Sequence, residues 1–384
     1  MGTYPSFSFS SDDTAVIIWA AGHIYSVPLA VNKRGERIAS SSKPYPIRFI
    51  AHIEKQLAET RRSGFNILDL ERQDTQKVRA FKELRVDESG KKVVFQAAGV
   101  TYWHQVGGKA PQKVPVLYDA SPYYSPSFVY GQDNLVIHIR WSDAVYSKLE
   151  VADIKSGKAY EITGLPMGRY FSPILCECRG SRRTLAFLKS GGSYLSGDIL
   201  ATAQPGLYIA DIILPDSAST THEEIKVSNI RFIPSEISTS SFERVNMRFI
   251  NTNRTLLVQQ STRAFTIDLS SKLDKKGKPL HTTLATGATS SALLVYPVST
   301  KKGTIQAENI AFVDFFNVYL APGDRVKEGE AVWSRPANAT KGLTRLSLDG
   351  GHDVTWSLDG KTLFWFLGTC WMGFLLARTD GDLL

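Results

Sequence analysis

The chain has 384 residues, 43% of them hydrophobic and 11% aromatic, with a formal net charge of +8. That composition supplies a large buried core and excludes a disordered or collagen-like chain. Three cysteines, an odd and low count, exclude a disulfide framework. The basic residues are scattered, with small knots at Arg179/Arg182/Arg183 and Lys272/Lys275/Lys276/Lys278, and no aromatic platform interleaves them. The reading is therefore no nucleic-acid partner.

In chain order, a hairpin pattern recurs. Phe7 to Asp13 leads into Ala15-Val16-Ile17-Ile18-Trp19, and Leu84 to Gly90 leads into Val93-Val94-Phe95. Pro126 to Asp133 leads into Leu135-Val136-Ile137, Phe171-Ser172-Pro173 starts a fourth copy ending in Leu185-Ala186-Phe187, and Phe249 to Asn253 leads into Leu256-Leu257-Val258. Ile310 to Val313 is a sixth strand without a turn signature. The best-preserved copy is His352 to Leu367, where Val354 and Trp356 alternate, Asp359-Gly360 turns, and Thr362 to Leu367 returns. A third strand follows most copies: Gly22 to Val27, Gly99 to Trp103, Leu149 to Asp153, Leu207 to Asp211, Phe265 to Asp268, Val318 to Leu320.

Strand, turn, strand and aromatic strand, repeating mostly at roughly 40 to 50 residues, predict four-stranded blades. The predicted fold class is all-β: a β-propeller of about six four-stranded blades, over a set of β-sandwiches. Repeats start near 4, 81, 123, 170, 243 and 308, with a last partial repeat from 352, so the propeller spans 1–368. Residues 369–384, beginning Thr369-Cys370-Trp371, read as an atypical tail and leave the closure of the ring open. Breaks at 32–80, 189–205, 215–224, 270–291 and 321–342 read as loops on the flat faces, where partners bind. Ile50 to Glu59 fits either a short helix or a strand.

Candidate chemistry is sparse. Cys176 and Cys178 read as core or rim thiols. Acidic residues at the hairpin turns (Asp12-Asp13, Asp87-Glu88, Asp359) read as bonding their own turn backbones, with calcium as the alternative. Gly191-Gly192-Ser193-Tyr194 lacks the second glycine of a nucleophile elbow, because Leu195 stands there. Gly323 to Val332 is similar to a hairpin of lipoyl carriers and reads as an interblade loop; Asn253 and Asn338 match the glycosylation pattern.

Tyr170-Phe171-Ser172-Pro173, Lys189-Ser190-Gly191-Gly192 and Gln204 to Asp211 occur in an order that resembles the TolB/Tricorn-like propeller preceding an amidohydrolase domain. Ile50 to Thr60, Leu348-Asp349-Gly350-Gly351 and Trp356 to Lys361 add to the resemblance, with Leu358 where the family's turn carries proline. The resemblance covers roughly Tyr4 to Gly368. It implies a non-catalytic propeller part of an amidohydrolase-type protein, docking on or gating a metal-dependent hydrolase domain. A free-standing WD40-like interaction scaffold is the alternative. Zinc or a similar divalent metal is then expected only in the hydrolase domain, whose His-x-His signature is absent here. The seven histidines are His23, His52, His104, His138, His222, His281 and His352, and no two are separated by a single residue. Catalytic, cofactor-binding and metal residues are accordingly expected to be none in this chain. The expected partner is a hydrolase domain or another protein held on a propeller face. No signal-peptide pattern or long apolar run is present, so a soluble, cytoplasmic protein without a membrane partner is the expectation.

Overall fold

The computed structural model describes residues 6–375 apart from 21, 56–71, 73–77, 79, 177–181, 191–203, 215–223, 240–244, 251–254, 270–278, 302, 328 and 369. The chain divides into two compact units, Met1–Thr75 and Gln76–Leu384. Among the described residues there is no α-helix, and none long and apolar enough to cross a membrane.

The first unit has a sheet of Phe7–Phe9, Ala15–Ala20, His23–Val31 and Arg37–Ala39, with Tyr45–Pro46 also pairing on the third strand. Its first turn is built as its residue types dictate. The Asp12 carboxylate accepts from the Thr14 amide at 3.2 Å, the Thr14 hydroxyl at 2.8 Å and the Ser10 hydroxyl at 2.7 Å. These donors, Ser10 first, hold the Asp12 carboxyl down at about 2.

The described residues of the second unit form six sheets, each a consecutive antiparallel meander. We number them as blades: 82–113, 123–163, 170–233, 246–287, 292–345 and 352–375. Successive side chains of a strand point to opposite faces, and their second strands are apolar on both because a neighbouring blade covers each face. In blade 1, Val93 and Phe95 pack with Phe364 and Phe366 of blade 6, while Val94 between them packs with Phe128 and Val136 of blade 2. The same device serves each remaining neighbour pair: Ile137 with Phe187, Ile174 with Met247, Leu257 with Leu293, and Leu294 with Trp365. Every blade thus shares a core with the next, and blade 6 shares one with blade 1. The ring is a propeller whose first and last blades meet by packing, blade 6 drawing its strands from 352–375 and blade 1 from 82–113. Cross-strand stacks of phenylalanine on tyrosine recur in blades 1, 3 and 5: Phe95–Tyr102 at 5.8 Å, Phe187–Tyr208 at 5.6 Å and Phe312–Tyr319 at 5.5 Å between ring centres.

Two outer edges are covered. Glu224–Lys226, from the blade 3 connection, lies parallel to Lys158–Thr163 of blade 2, and Ala331–Val332, from the blade 5 insertion, lies parallel to His281–Gly287 of blade 4. Each cap blunts an exposed edge and ties two neighbours together.

Two elements differ from the pattern read along the sequence. The strand holding Ile310 to Val313 is second in its blade, because Ala292–Ser299 precedes it; a register shift at Tyr296/Pro297 interrupts that earlier strand's alternation. Cys370–Leu375 is the third strand of blade 6, pairing with Thr362–Leu367 along its whole length. Trp371 there packs against the core shared with blade 1. The third strands of the other blades fall where the aromatic pattern placed them.

Candidate functional site: the axial channel

The first strand of each blade faces the axis, and together these strands enclose a channel. Its wide end is a cavity of about 420 Å³ lined by Glu83, Arg85, Ser125, Ser172, Asn246, Leu293 and His352, among others. It opens among the second-to-third-strand turns and the blade-to-blade connections, since Ser190, Ser261 and Ser291 also line it. The narrow end, about 80 Å³, lies toward the Asp-Gly turns and is lined by Arg248, Gln259, Thr355 and Trp356.

Four consecutive blades place a polar residue in the left-handed region at the same point of the channel strand: Asp353 (φ 52°), Glu83 (φ 59°), Ser125 (φ 50°) and Ser172 (φ 50°). Each sits at a register shift, so one extra residue bulges toward the axis. The bulges are hydrogen-bonded in series around the channel. The Glu83 amide donates to Asp353 Oδ1 at 2.9 Å; the Ser125 amide and hydroxyl donate to Glu83 at 2.5 and 3.0 Å. The Ser172 amide donates to Ser125 Oγ at 3.2 Å, and Ser172 Oγ donates to the Val245 carbonyl at 2.6 Å. A bulge leaves its amide without a ladder partner, and here the side chain of the preceding blade supplies the acceptor. His352 Nδ1 lies 2.7 Å from Asp353 Oδ2, at the rim of the wide mouth.

Behind the blade 2 wall lies a buried polar network. Arg140 bonds Glu150 at 2.8 Å and Glu161 at 2.6 Å, and the Tyr123 hydroxyl donates to Glu150. Burial raises the Glu150 carboxyl, against the pull of Arg140. His138 is fully buried, with Nδ1 2.8 Å from Thr101 Oγ1, and burial pushes its imidazole down to about 3. With both Glu150 and His138 closed off from solvent, the network holds two blades together and offers a substrate no access.

One turn on the wide-mouth face stands apart. Asp314 pairs with Asn317, so Phe315 and Phe316 form a two-residue hairpin loop, with φ of 46° and 67°. Such loops favour Asn-Gly, and each bulky residue held left-handed costs about 1 to 3 kcal/mol. The rings are 61% and 86% exposed, so burial offsets little of that strain, least at Phe316.

The residues singled out from the sequence are dispersed over these elements. His104 Nε2 lies 3.1 Å from the Gly108 carbonyl and its Nδ1 accepts from Trp371; His281 packs on Phe265; His23 and His52 belong to the first unit. Among the described residues no three of His, Cys, Asp and Glu come together as metal ligands. Asp87 Oδ1 accepts from the Lys91 and Lys92 amides and Asp359 Oδ1 from the Lys361 amide, the turn-bonding role. Cys176 is buried, and Asn338 ends the short 3-10 turn Pro336–Asn338. Gly323–Arg325 is a second such turn, in the insertion that goes on to cap blade 4. Cys178, His222, Gly191 to Leu195, Asn253 and the Lys272–Lys278 knot lie outside the described residues. The bulge series went unread in the sequence, although it leaves a signal: Glu83-Leu84-Arg85-Val86, Ser125-Pro126-Ser127-Phe128, Ser172-Pro173-Ile174-Leu175 and Asp353-Val354-Thr355-Trp356 each set a polar residue three before an apolar one.

No protein-family profile and no curated protein matches the chain. Among solved structures, it is similar to an oligogalacturonate lyase from Vibrio parahaemolyticus, with 9% identity, 93% of this chain and 84% of that one covered, and a TM-score of 0.42. It is also similar to the hydrazine synthase of Kuenenia stuttgartiensis (11% identity, 97% and 95% covered, TM-score 0.41) and to the tricorn protease (12% identity, 94% and 37% covered, TM-score 0.37). The propeller assignment rests on the sheet order and the shared interblade cores of this chain itself.

Proposed function

We propose that the propeller is an interaction scaffold that holds a partner protein over the wide mouth of its channel. The supporting observation is a set of exposed apolar side chains around that mouth: Tyr118, Val145, Met167, Phe315, Phe316 and Leu348 all lie in its turns and connections. Exposed apolar side chains around a polar cavity mark an interaction surface. The finer proposal is that the partner is a metal-dependent hydrolase domain of the amidohydrolase type, which the propeller docks on or gates. It is supported by the order of loop motifs from Tyr170 to Asp211.

The test is site-specific photo-crosslinking in cells. A benzophenone amino acid at position 118 or 167 should give a discrete adduct, and the same probe at 213 or 298, away from this face, should not. Equal labelling at both sets, or none at either, would reject the scaffold reading. Mass spectrometry of an adduct without a metal-dependent hydrolase domain would reject only the finer proposal.

A further inference from the structure

We propose that the Phe315-Phe316 turn is the energetic centre of that docking face. Its occupant is a protein segment that offers an apolar pocket to the two rings and a carboxylate to Arg335. The inference rests on the scaffold reading and adds the residues and the partner's chemistry.

The backbone of the turn does not need the rings. Gly351 N donates to the Phe316 carbonyl at 2.8 Å, and Asn317 Nδ2 donates to the Phe315 carbonyl at 3.1 Å. Any residue pair would keep those bonds, and Asn-Gly would keep them without strain. Two bulky apolar residues in a left-handed turn, with rings mostly turned to solvent, therefore carry a folding cost for little folding benefit. Such outliers cluster at binding and switch sites.

Neighbouring residues supply the rest of a hot spot. Leu348, 82% exposed, stands in the next connection, where the Arg345 guanidinium bonds the carbonyls of Ser347 and Leu348 and Asn317 Oδ1. That guanidinium ties the connection to the base of the turn. Arg335 lies over the Phe315 ring at 5.8 Å and over Trp333 at 5.7 Å. Among the described residues neither arginine pairs with a carboxylate; Asp314, the nearest acid in the turn, accepts from Thr289 and Ser334 instead. An exposed guanidinium stacked on aromatic rings keeps its outer edge for a planar bidentate acceptor. Aromatic and arginine side chains clustered this way are the usual composition of interface hot spots. The charge and shape together select an acidic, apolar-bearing segment of a protein.

The experiment uses the full chain and a displayed library of random dodecapeptides. Peptides are selected on the parent protein and counter-selected on the F315N/F316G variant. The variant should melt at the same temperature or higher, since its turn is relieved. Enriched peptides should combine Leu, Phe or Trp with Asp or Glu, and should bind the variant at least tenfold more weakly. Arg335→Glu should weaken them severalfold while leaving the melt unchanged. Peptides that bind parent and variant equally would overturn the inference and leave the scaffold reading standing. Enrichment of basic or uncharged peptides would overturn the partner's chemistry, and no enrichment would count against both readings. A lower melting temperature for F315N/F316G would show that the rings serve the fold. A concentration-dependent dimer lost in that variant would assign the turn to a second copy of this chain and overturn the acidic-segment proposal.

Discussion

The two halves of the channel wall are built on different physics. Blades 6, 1, 2 and 3 bulge at the axis and pass hydrogen bonds from one to the next through Asp353, Glu83, Ser125 and Ser172. Blades 4 and 5 show no left-handed residue on their channel strands among the described residues. There Leu293 and Leu294 are buried on opposite sides of one strand. Side-chain ties between these two blades include Gln259 Oε1, which accepts from the Val295 amide at 2.7 Å, and Ser290 Oγ, which donates to the Ser261 carbonyl at 2.7 Å. The bulged half spends backbone strain to put polar groups at the mouth, and the other half relies on aliphatic packing. A propeller can therefore be held at its axis by either means; among the described residues the carboxylates lining the wide end, Glu83 and Asp353, both come from the bulged half.

The largest effect should come from the packed half. Leu293→Ala removes a side chain that is 1% exposed in the core of blades 4 and 5, and should destabilise by about 2 to 5 kcal/mol. Chemical denaturation checks it; an unchanged midpoint would mean that Leu293 is not structural. In the bulged half, Glu83→Ala strips the acceptor from the Ser125 amide and hydroxyl and should cost about 1.5 to 3 kcal/mol, the range for bonds to a charged group. Glu83→Gln keeps one acceptor oxygen and should cost less. Equal losses for the two variants would show that charge, not acceptance, is what the bulge needs.

Acid should expose the polar network behind blade 2. His138 is held neutral, with a folded pKa of about 3 against 6.5 for an ordinary imidazole. Because the folded value is depressed, the unfolded chain binds more protons below pH 6.5, and stability is lost as pH falls through that window. The loss from this one group reaches ~1.4 kcal/mol at pH 5.5. His138→Gln should flatten the dependence of the denaturation midpoint between pH 6.5 and 5, whereas Leu293→Ala should shift the curve without changing its slope. The smallest effect belongs to Ser172→Gly, which gives up the bond to the Val245 carbonyl but relieves a left-handed residue. These oppose, so the net change should fall within about 1 kcal/mol. A loss of several kcal/mol would mean that the series acts as one cooperative network.

Hydrophobic alternation and turn chemistry are local, and they determined the all-β class, the repeated hairpins and most third strands without reference to the rest of the molecule. Trp356 was legible in this way: it alternates with Val354 and is buried in the core of blades 5 and 6. So was the role of Asp87 and Asp359, since an aspartate in a tight turn bonds its own backbone. Ala292–Ser299 was not legible, because its bulge at Pro297 breaks the period that marks a strand. Nor was the role of Cys370–Leu375, whose worth depends on Trp371 meeting the core of blade 1 from the other end of the second unit. The channel could only be decided in three dimensions. Glu83 and Asp353 are 270 positions apart in the chain, and their bond exists because six blades bring the last strand set back to the first. A sequence specifies which residues alternate and which turn; which polar residues meet is set by ring closure, a property of how many blades pack and of no single one.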